Sequence, residues 1–404
     1  MHALELKRPQ AGSAFEVLRA FLRLGLTSFG GPAAHLGYFR SEFVVRRQWL
    51  SERAYADLLA LCQFLPGPAS SQVGFALGLG RAGYAGALAA WAGFTLPSAA
   101  LLTGFAYAAG ALSGRAGGAL LHGLKLVAVA IVAQAVLGMA RTLCPDRARA
   151  FIAICALTLT LLLRSPMAQI AVIGAGALLG LALCRGMPGL ASVPAPHWPV
   201  SHRAGLVALT LFLLLLGGGP LMQRLVPAHG VALFAAFYRC GALVFGGGHV
   251  VLPLLRAAFV PPGGVSDGEF LAGYGAAQAM PGPLFTFAAY LGAVAHGSPH
   301  GLAGAVLGLI GLFLPGMLIL VAALPFWATL RRLTAARAAI LGVNAAVVGL
   351  LAAALYNPVW STSVRSPTDI GLALGGLVLL TLGRVPPWLV VILTALGSVA
   401  FAQA

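Results

Sequence analysis

The sequence predicts an all-α polytopic membrane protein. It is expected to hold two homologous halves, set as inverted-topology repeats with broken or re-entrant helices. Three observations carry this. The 404 residues are 60% hydrophobic and only 8% charged, and runs within 83–110, 117–140, 204–223 and 301–330 approach the ~20 apolar residues that cross a bilayer. Motif blocks recur in the same order at a nearly constant offset. The basic residues of matching loops also swap sides between the halves. The alternating pattern of a β-barrel is absent.

The opening stretch "MHALELKRPQAGSAFEVLRAF" is charged and lacks an apolar core followed by a small-residue cleavage site, so no signal peptide is expected. The first helix is expected from near Ala14, amphipathic and interrupted by Arg19 and Arg23. The chain also repeats itself. "LRLGLTSFGGPAAHLGYFR" (22–40) matches "YRCGALVFGGGHVVLPLLR" (238–256) at an offset of 216, and Arg40 falls on Arg256. "QFLPGP" (63–68) matches "QAMPGP" (278–283) at 215. "GFTLP" (93–97) resembles "GLFLP" (311–315) at 218, and "GLKLVAVAIV" (123–132) resembles "GVNAAVVGLL" (342–351) at 219.

Lys and Arg concentrate in cytoplasmic loops, so loop charge reports orientation. Loop 46–53 holds Arg46, Arg47 and Arg53, whereas its counterpart near 262–269 has Asp267 and Glu269 and no basic residue. Loop 111–118 has only Arg115, against Arg331, Arg332 and Arg337 in its counterpart. Loop 141–149 has Arg141, Arg147 and Arg149, against Arg365 alone in 358–368. The rich side alternates, as an inverted repeat requires. The expected organisation is a first membrane repeat over 1–184, a Pro-rich cytoplasmic loop plus linking helix over 185–228, and a second repeat over 229–404.

The net charge of +16 fits this orientation and attraction to anionic lipid. No basic run interleaved with aromatics points to nucleic acid. Cys62, Cys144, Cys155, Cys184 and Cys240 are scattered, without a CxxC, so neither a disulfide framework nor a metal site is expected. Carboxylates are few and lie mainly in loops or near helix ends; Asp57, close before Gln63, is the one near an apolar span. That argues against a cation carrier needing oxygen ligands and against paired-carboxylate hydrolysis. An intramembrane enzyme would need a catalytic dyad at depth, and Asp, Glu, His and Cys offer no convincing one. No cofactor is expected, and no GxxxxGK[ST] motif provides for ATP.

What remains is anion chemistry at helix breaks. Proline removes a donor and clashes with the preceding turn, so Pro66-Gly67-Pro68 and Pro281-Gly282-Pro283 interrupt helices twice at matched places. Such irregular backbone is tolerated at membrane depth only where it is shielded from lipid, and inverted-repeat carriers bind substrate at broken helices near the midplane. Gln63 and Gln278 precede the breaks, while Ser70, Ser71 and Thr286 follow them. Gln63 and the amides after Pro68 are expected to face a cavity. The blocks Phe29-Gly30-Gly31 and Phe245-Gly246-Gly247 are candidate anion nests, since glycine admits close backbone approach and helix starts present free amides. Close helix packing by small residues is the competing reading.

Arg40 and Arg256 are candidate oxyanion forks, against the alternative of headgroup anchors. Lys125, inside an apolar run and aligned with Asn344, is either a functional charge or a snorkelling one. His35, His249 and Asp57 are candidate proton carriers, though each histidine also suits a hydrogen-bonded structural role. His122, three residues before Lys125, is open to the same two readings.

With these residues in view, the sequence resembles the chromate ion transporter family in its long two-domain form. The resemblance rests on Phe29 to Pro32, Gln63 to Pro68, Phe245 to His249, Gln278 to Pro283 and Gly342 to Ala346, and covers nearly the whole chain. It implies export of chromate across a bacterial inner (plasma) membrane, driven by the proton gradient. Sulfate has the same charge and shape and is the alternative substrate. The expected partners are the oxyanion and the lipid bilayer; a homodimer is compatible with the sequence, which sets no oligomeric state.

Overall fold

The computed structural model describes residues 12–111, 114–163, 168–185, 198–226, 228–245, 247–297, 299–330 and 333–403. These are helical, with no strand among the described residues. The first half holds α1 (Ala14–Thr27), α2 (Gly31–Phe39, continued as a π-helical turn over Arg40–Arg46), α3 (Glu52–Phe64) and α4 (Ala69–Ala111), then α5 (Gly114–Leu143), α6 (Arg147–Leu162) and α7 (Ala168–Leu183). The linking helix is α8 (His202–Leu225). The second half holds α9 (His229–Ala242), α10 (Val251–Phe259), α11 (Asp267–Ala279), α12 (Phe287–Val294) and α13 (Gly301–Ala323). It continues with α14 (Trp327–Leu330), α15 (Thr334–Ala354), α16 (Ser361–Ser363), α17 (Pro367–Thr381) and α18 (Pro387–Gln403). Arg331, Arg332 and most of the 184–203 stretch lie outside the described residues.

Local chemistry sets the starts. Ser51 accepts the Ala54 N–H before α3, and Ser266 forms a capping box with Glu269 before α11, two orphan donors satisfied at matched positions. Asp146 and Ser366 cap α6 and α17 in the same way. The breaks set the ends. α1 and α9 are 14 residues long, α3 and α11 are 13, about 20 Å each at 1.5 Å per residue. That is short of the ~30 Å hydrocarbon core. Among the described residues, five helices are long and apolar enough to cross: 69–109, 116–143, 202–219, 301–330 and 334–363. α4 is itself two helices, divided at Ala82 and Gly83 (φ 63°). Its counterpart turns at Gly301 (φ 61°), 218 residues on.

Contacts at the ends of α4 and α13 show the inversion. Near its kink, α4 carries Arg81, which pairs with Glu16 at 3.1 Å and stacks over Trp49 beside the tip of the first hairpin. α4 then runs to Tyr107, whose hydroxyl accepts the Leu302 N–H at the start of α13, 3.0 Å away. α13 runs back and leads to Trp327, whose indole donates to Asp57 on α3 at 3.0 Å. Equivalent helices therefore lie antiparallel, with Trp91 against Phe313 between them. Packing is reciprocal as well: α1 lies on α4 and α9 on α13, while α5 packs on α17 and α18 and α15 packs on α6 and α7. α5 and its counterpart α15 are thus each clasped by the other half's last helix pair.

Candidate functional site

The four helix breaks converge and join crosswise. Gly67, in the first Pro-Gly-Pro, donates its N–H to Val244 O just before the second Phe-Gly-Gly, at 2.7 Å. Gly282, in the second Pro-Gly-Pro, donates to Ser28 O just before the first Phe-Gly-Gly, at 2.8 Å. The two hydrogen bonds are equivalent under the repeat. Positive φ values of 121° at Gly67 and 93° at Gly282 aim these amides; an L side chain is disfavoured there. Space forbids one too. A Cβ at Gly67 would stand 2.8 Å from Gly316 Cα, and one at Gly282 would stand 2.8 Å from Ser98 Oγ. The second Phe-Gly-Gly also touches the first, since a Cβ at Gly248 would lie 2.8 Å from Pro32 Cγ.

Buried polar groups gather on this junction. On the Gly282 side are Ser28, Thr95, Ser98 and His35, whose ring stands edge-on to Phe94 with centroids 5.1 Å apart. His35 is 0% exposed, and neither of its ring nitrogens has a hydrogen-bond partner; nor do Ser28 Oγ and Thr95 Oγ1. On the Gly67 side, Gln72 Nε2 donates to Pro66 O (2.9 Å) and Gly316 O (2.8 Å), binding the break to α13. Gln72 Oε1 and Ser71 Oγ remain unpartnered. Gln278 Nε2, one turn before the second break, is also unpartnered. The first-turn amides of α2 and α4 have no intrahelical acceptor.

The remaining predicted residues fall into distinct settings. Phe29 packs against Trp388, with ring centroids 6.1 Å apart. Gly30 and Gly31 (φ 103° and 77°) turn the chain into α2. Ser70 is buried, and Thr286 Oγ1 donates to Pro283 O at 2.7 Å. Gln63 is exposed, whereas Gln278 is half-buried. Phe245 and Gly247 belong to the second Phe-Gly-Gly block; its Gly246 lies outside the described residues. Pro281 and Pro283 are buried with Gly282, and Pro68 is buried beside the half-exposed Pro66. Asn344 is half-buried with Oδ1 unpartnered. His249 Nδ1 lies 2.7 Å from Tyr274 Oη.

Arg40 and Arg256 are each held by a carboxylate. Arg40 Nε meets Glu52 Oε1 at 2.6 Å. Arg256 engages both Asp267 oxygens, at 2.8 and 3.1 Å. Each pair ties the end of a hairpin to the first turn of the next helix. The Glu52 carboxylate pushes the Arg40 guanidinium above its ordinary pKa. At the same hairpin tip, burial raises the Glu42 pKa, but hydrogen bonds and charges from Arg47 and Arg46 outweigh it and hold the carboxyl below the usual range.

Sequence reasoning missed Ser28, Gln72, Thr95 and Ser98. Singly, each is an ordinary residue of a membrane helix. Their signal lay in the repeat, where they align with Val244, Phe287, Phe313 and Gly316. The first half is polar at the junction where the second is apolar.

Comparison with known proteins agrees with this architecture. The profile of the chromate transporter family matches residues 15–181 and again 231–399. The chromate transport protein of Pseudomonas aeruginosa is 29% identical over 386 residues, covering 89% of this chain and 84% of that one. The chromate transport protein of Cupriavidus metallidurans is 28% identical over 376 residues, covering 91% and 87%. No solved structure gives a significant match. With one family profile matched twice, once in each inverted half, the chain belongs to the chromate transporter family.

Proposed function

We propose that this chain moves chromate through the junction of the four breaks, out of the cytoplasm and across a bacterial inner membrane, in exchange for protons, and thereby confers chromate resistance. One observation carries the reading. Ser28, His35, Ser71, Thr95 and Gln278 bring unpartnered, largely buried polar atoms to the crossed breaks. Each such group left dry costs about 1–3 kcal/mol. Hydroxyl, amide and imidazole N–H donors, with the free amides of α2 and α4, suit a tetrahedral dianion that sheds its water there. Among the candidate proton carriers, Asp57 is bonded to Trp327 and His249 to Tyr274. His35 is the one whose ring nitrogens are left for exchange.

Vesicles holding the folded protein test this. A proton gradient is imposed, and labelled chromate flux is followed with and without sulfate. Chromate should move against the proton flow, with sulfate competing weakly. Absence of chromate flux under the gradient sinks the reading, and flux of sulfate in preference to chromate reassigns the substrate.

A further inference from the structure

Away from the breaks, Lys125, His122, Arg365, Thr368 and Asp369 line a cavity of about 460 Å³ between α5, α17 and α18. Asp369 is the carboxylate in this lining, and both its oxygens are engaged. Oδ1 meets His122 Nε2 at 2.8 Å, and Oδ2 accepts the backbone N–H groups of Arg365 and Ser366 at 2.9 and 3.0 Å. A Cβ at Gly268 would stand 3.0 Å from Lys125 Nζ, which sets the ammonium against the first turn of α11. The carboxylates of that turn are engaged as well, Asp267 with Arg256 and Glu269 with Ser266. No ion pair reaches Lys125 or Arg365 among the described residues. Two cations thus share one cavity with a single carboxylate, Asp369, whose oxygens are already held by His122 and backbone N–H groups; the lining keeps an excess of positive charge that an entering anion relieves.

The inverted repeat supplies a control. Lys125 aligns with Asn344. Near the start of α6, the counterpart of α17, Arg149 is bonded to Asp146 through its Nε at 2.6 Å. At these counterpart positions, among the described residues, the lysine is replaced by a neutral amide and Arg149 is paired with a carboxylate.

We propose that this cavity binds one tetrahedral oxyanion, with Lys125 and Arg365 as its charged contacts. The source is either a free dianion such as sulfate or chromate, or the phosphate of an anionic lipid headgroup. The site goes beyond the transport reading. Gly268 and Gln278 lie ten residues apart on α11, about 15 Å along the helix, so an anion here is separate from the crossed breaks.

The chain has two lysines, Lys7 and Lys125, so Lys7→Arg leaves Lys125 as the single lysine. The full-length variant in nanodiscs of zwitterionic lipid is treated with an amine-reactive ester, and acylation of Lys125 is read by mass spectrometry. Sulfate or chromate should slow acylation, and Arg365→Gln should weaken that protection about tenfold, the loss of one charge-assisted contact. Protection by anionic lipid in the nanodisc, without free anion, assigns the headgroup as the occupant. Acylation indifferent to sulfate, chromate and anionic lipid overturns the proposal. If Lys125 resists the ester throughout, equilibrium dialysis of labelled sulfate decides: one site fewer in Lys125→Gln supports the proposal, and equal binding overturns it. Neither readout needs flux, so this proposal and the transport reading fail independently.

Discussion

Gly67 and Gly282 are the residues on which the crossed breaks depend. Each combines a positive φ with a neighbouring chain inside normal contact distance. Replacing either with Ala should cost about 1–3 kcal/mol through backbone strain alone, with the clash adding to it. Thermal unfolding in detergent should shift down for both variants, by similar amounts, and chromate flux should fall with it. Unchanged melting in one of them would separate the two breaks and contradict their equivalence. His35 makes a different demand, because its imidazole is buried without partners. His35→Gln keeps a polar side chain but removes the titrating group. Chromate flux in this variant should lose its dependence on the proton gradient, while melting moves little. Retention of full proton coupling would pass the role to another group.

Among the elements, the paired hairpins carry the clearest tests. Arg40–Glu52 and Arg256–Asp267 brace equivalent corners, so Arg40→Gln and Glu52→Gln should behave alike, as should Arg256→Gln and Asp267→Asn. A double-mutant cycle should give under about 1 kcal/mol for the exposed Arg40 pair and more for Arg256, which has two hydrogen bonds. If the arginine variants abolish transport while the carboxylate variants do not, the guanidinium groups meet the anion as well as the brace. The tip of the first hairpin also has a pH signature. The folded-state pKa of Glu42 is depressed, so its contribution is present above the unfolded value of about 4.3 and is lost as pH falls through the folded value. Hydrogen-exchange protection at residues 40–50, corrected for the intrinsic rate at each pH, should be flat from neutral pH to about 5 and fall below about 4. Glu42→Gln should show the lowered protection already at neutral pH.

At the scale of the molecule, antiparallel α4 and α13 put the hairpin tips of the two halves at opposite ends. Gln48 and Gly263 are both exposed at those tips. In a background without native cysteines, Gln48→Cys and Gly263→Cys should react with an impermeant thiol reagent from opposite sides of a sealed vesicle. Labelling of both from one side would contradict the inversion. The reciprocal clasp of α5 and α15 by the partner half's last helices has a further consequence. Neither half clasps its own long helix, α5 or α15, with its own last helix pair, so the halves expressed as separate chains should associate, and each alone should expose that apolar face.

Much of this is legible in the sequence alone. Apolar runs state which segments lie in lipid, because water is absent there and every backbone group must be satisfied within a helix. Duplicated Phe-Gly-Gly and Pro-Gly-Pro blocks state where those helices stop, because proline and glycine act on the local backbone. Loop arginines state the inversion, because insertion reads charge along the chain. Long-range pairing is another matter, since it depends on distances that sequence separation does not record. Gly67 reaches Val244 and Gly282 reaches Ser28 through packing of one half on the other. The same packing leaves His35 without a hydrogen-bond partner and Lys125 without an ion pair among the described residues, while Arg40 and Arg256, read from sequence as anion forks or headgroup anchors, each acquire a carboxylate. A charge is visible in a sequence; whether it is neutralised is a fact about neighbours, and those were assigned only when the two halves interlocked.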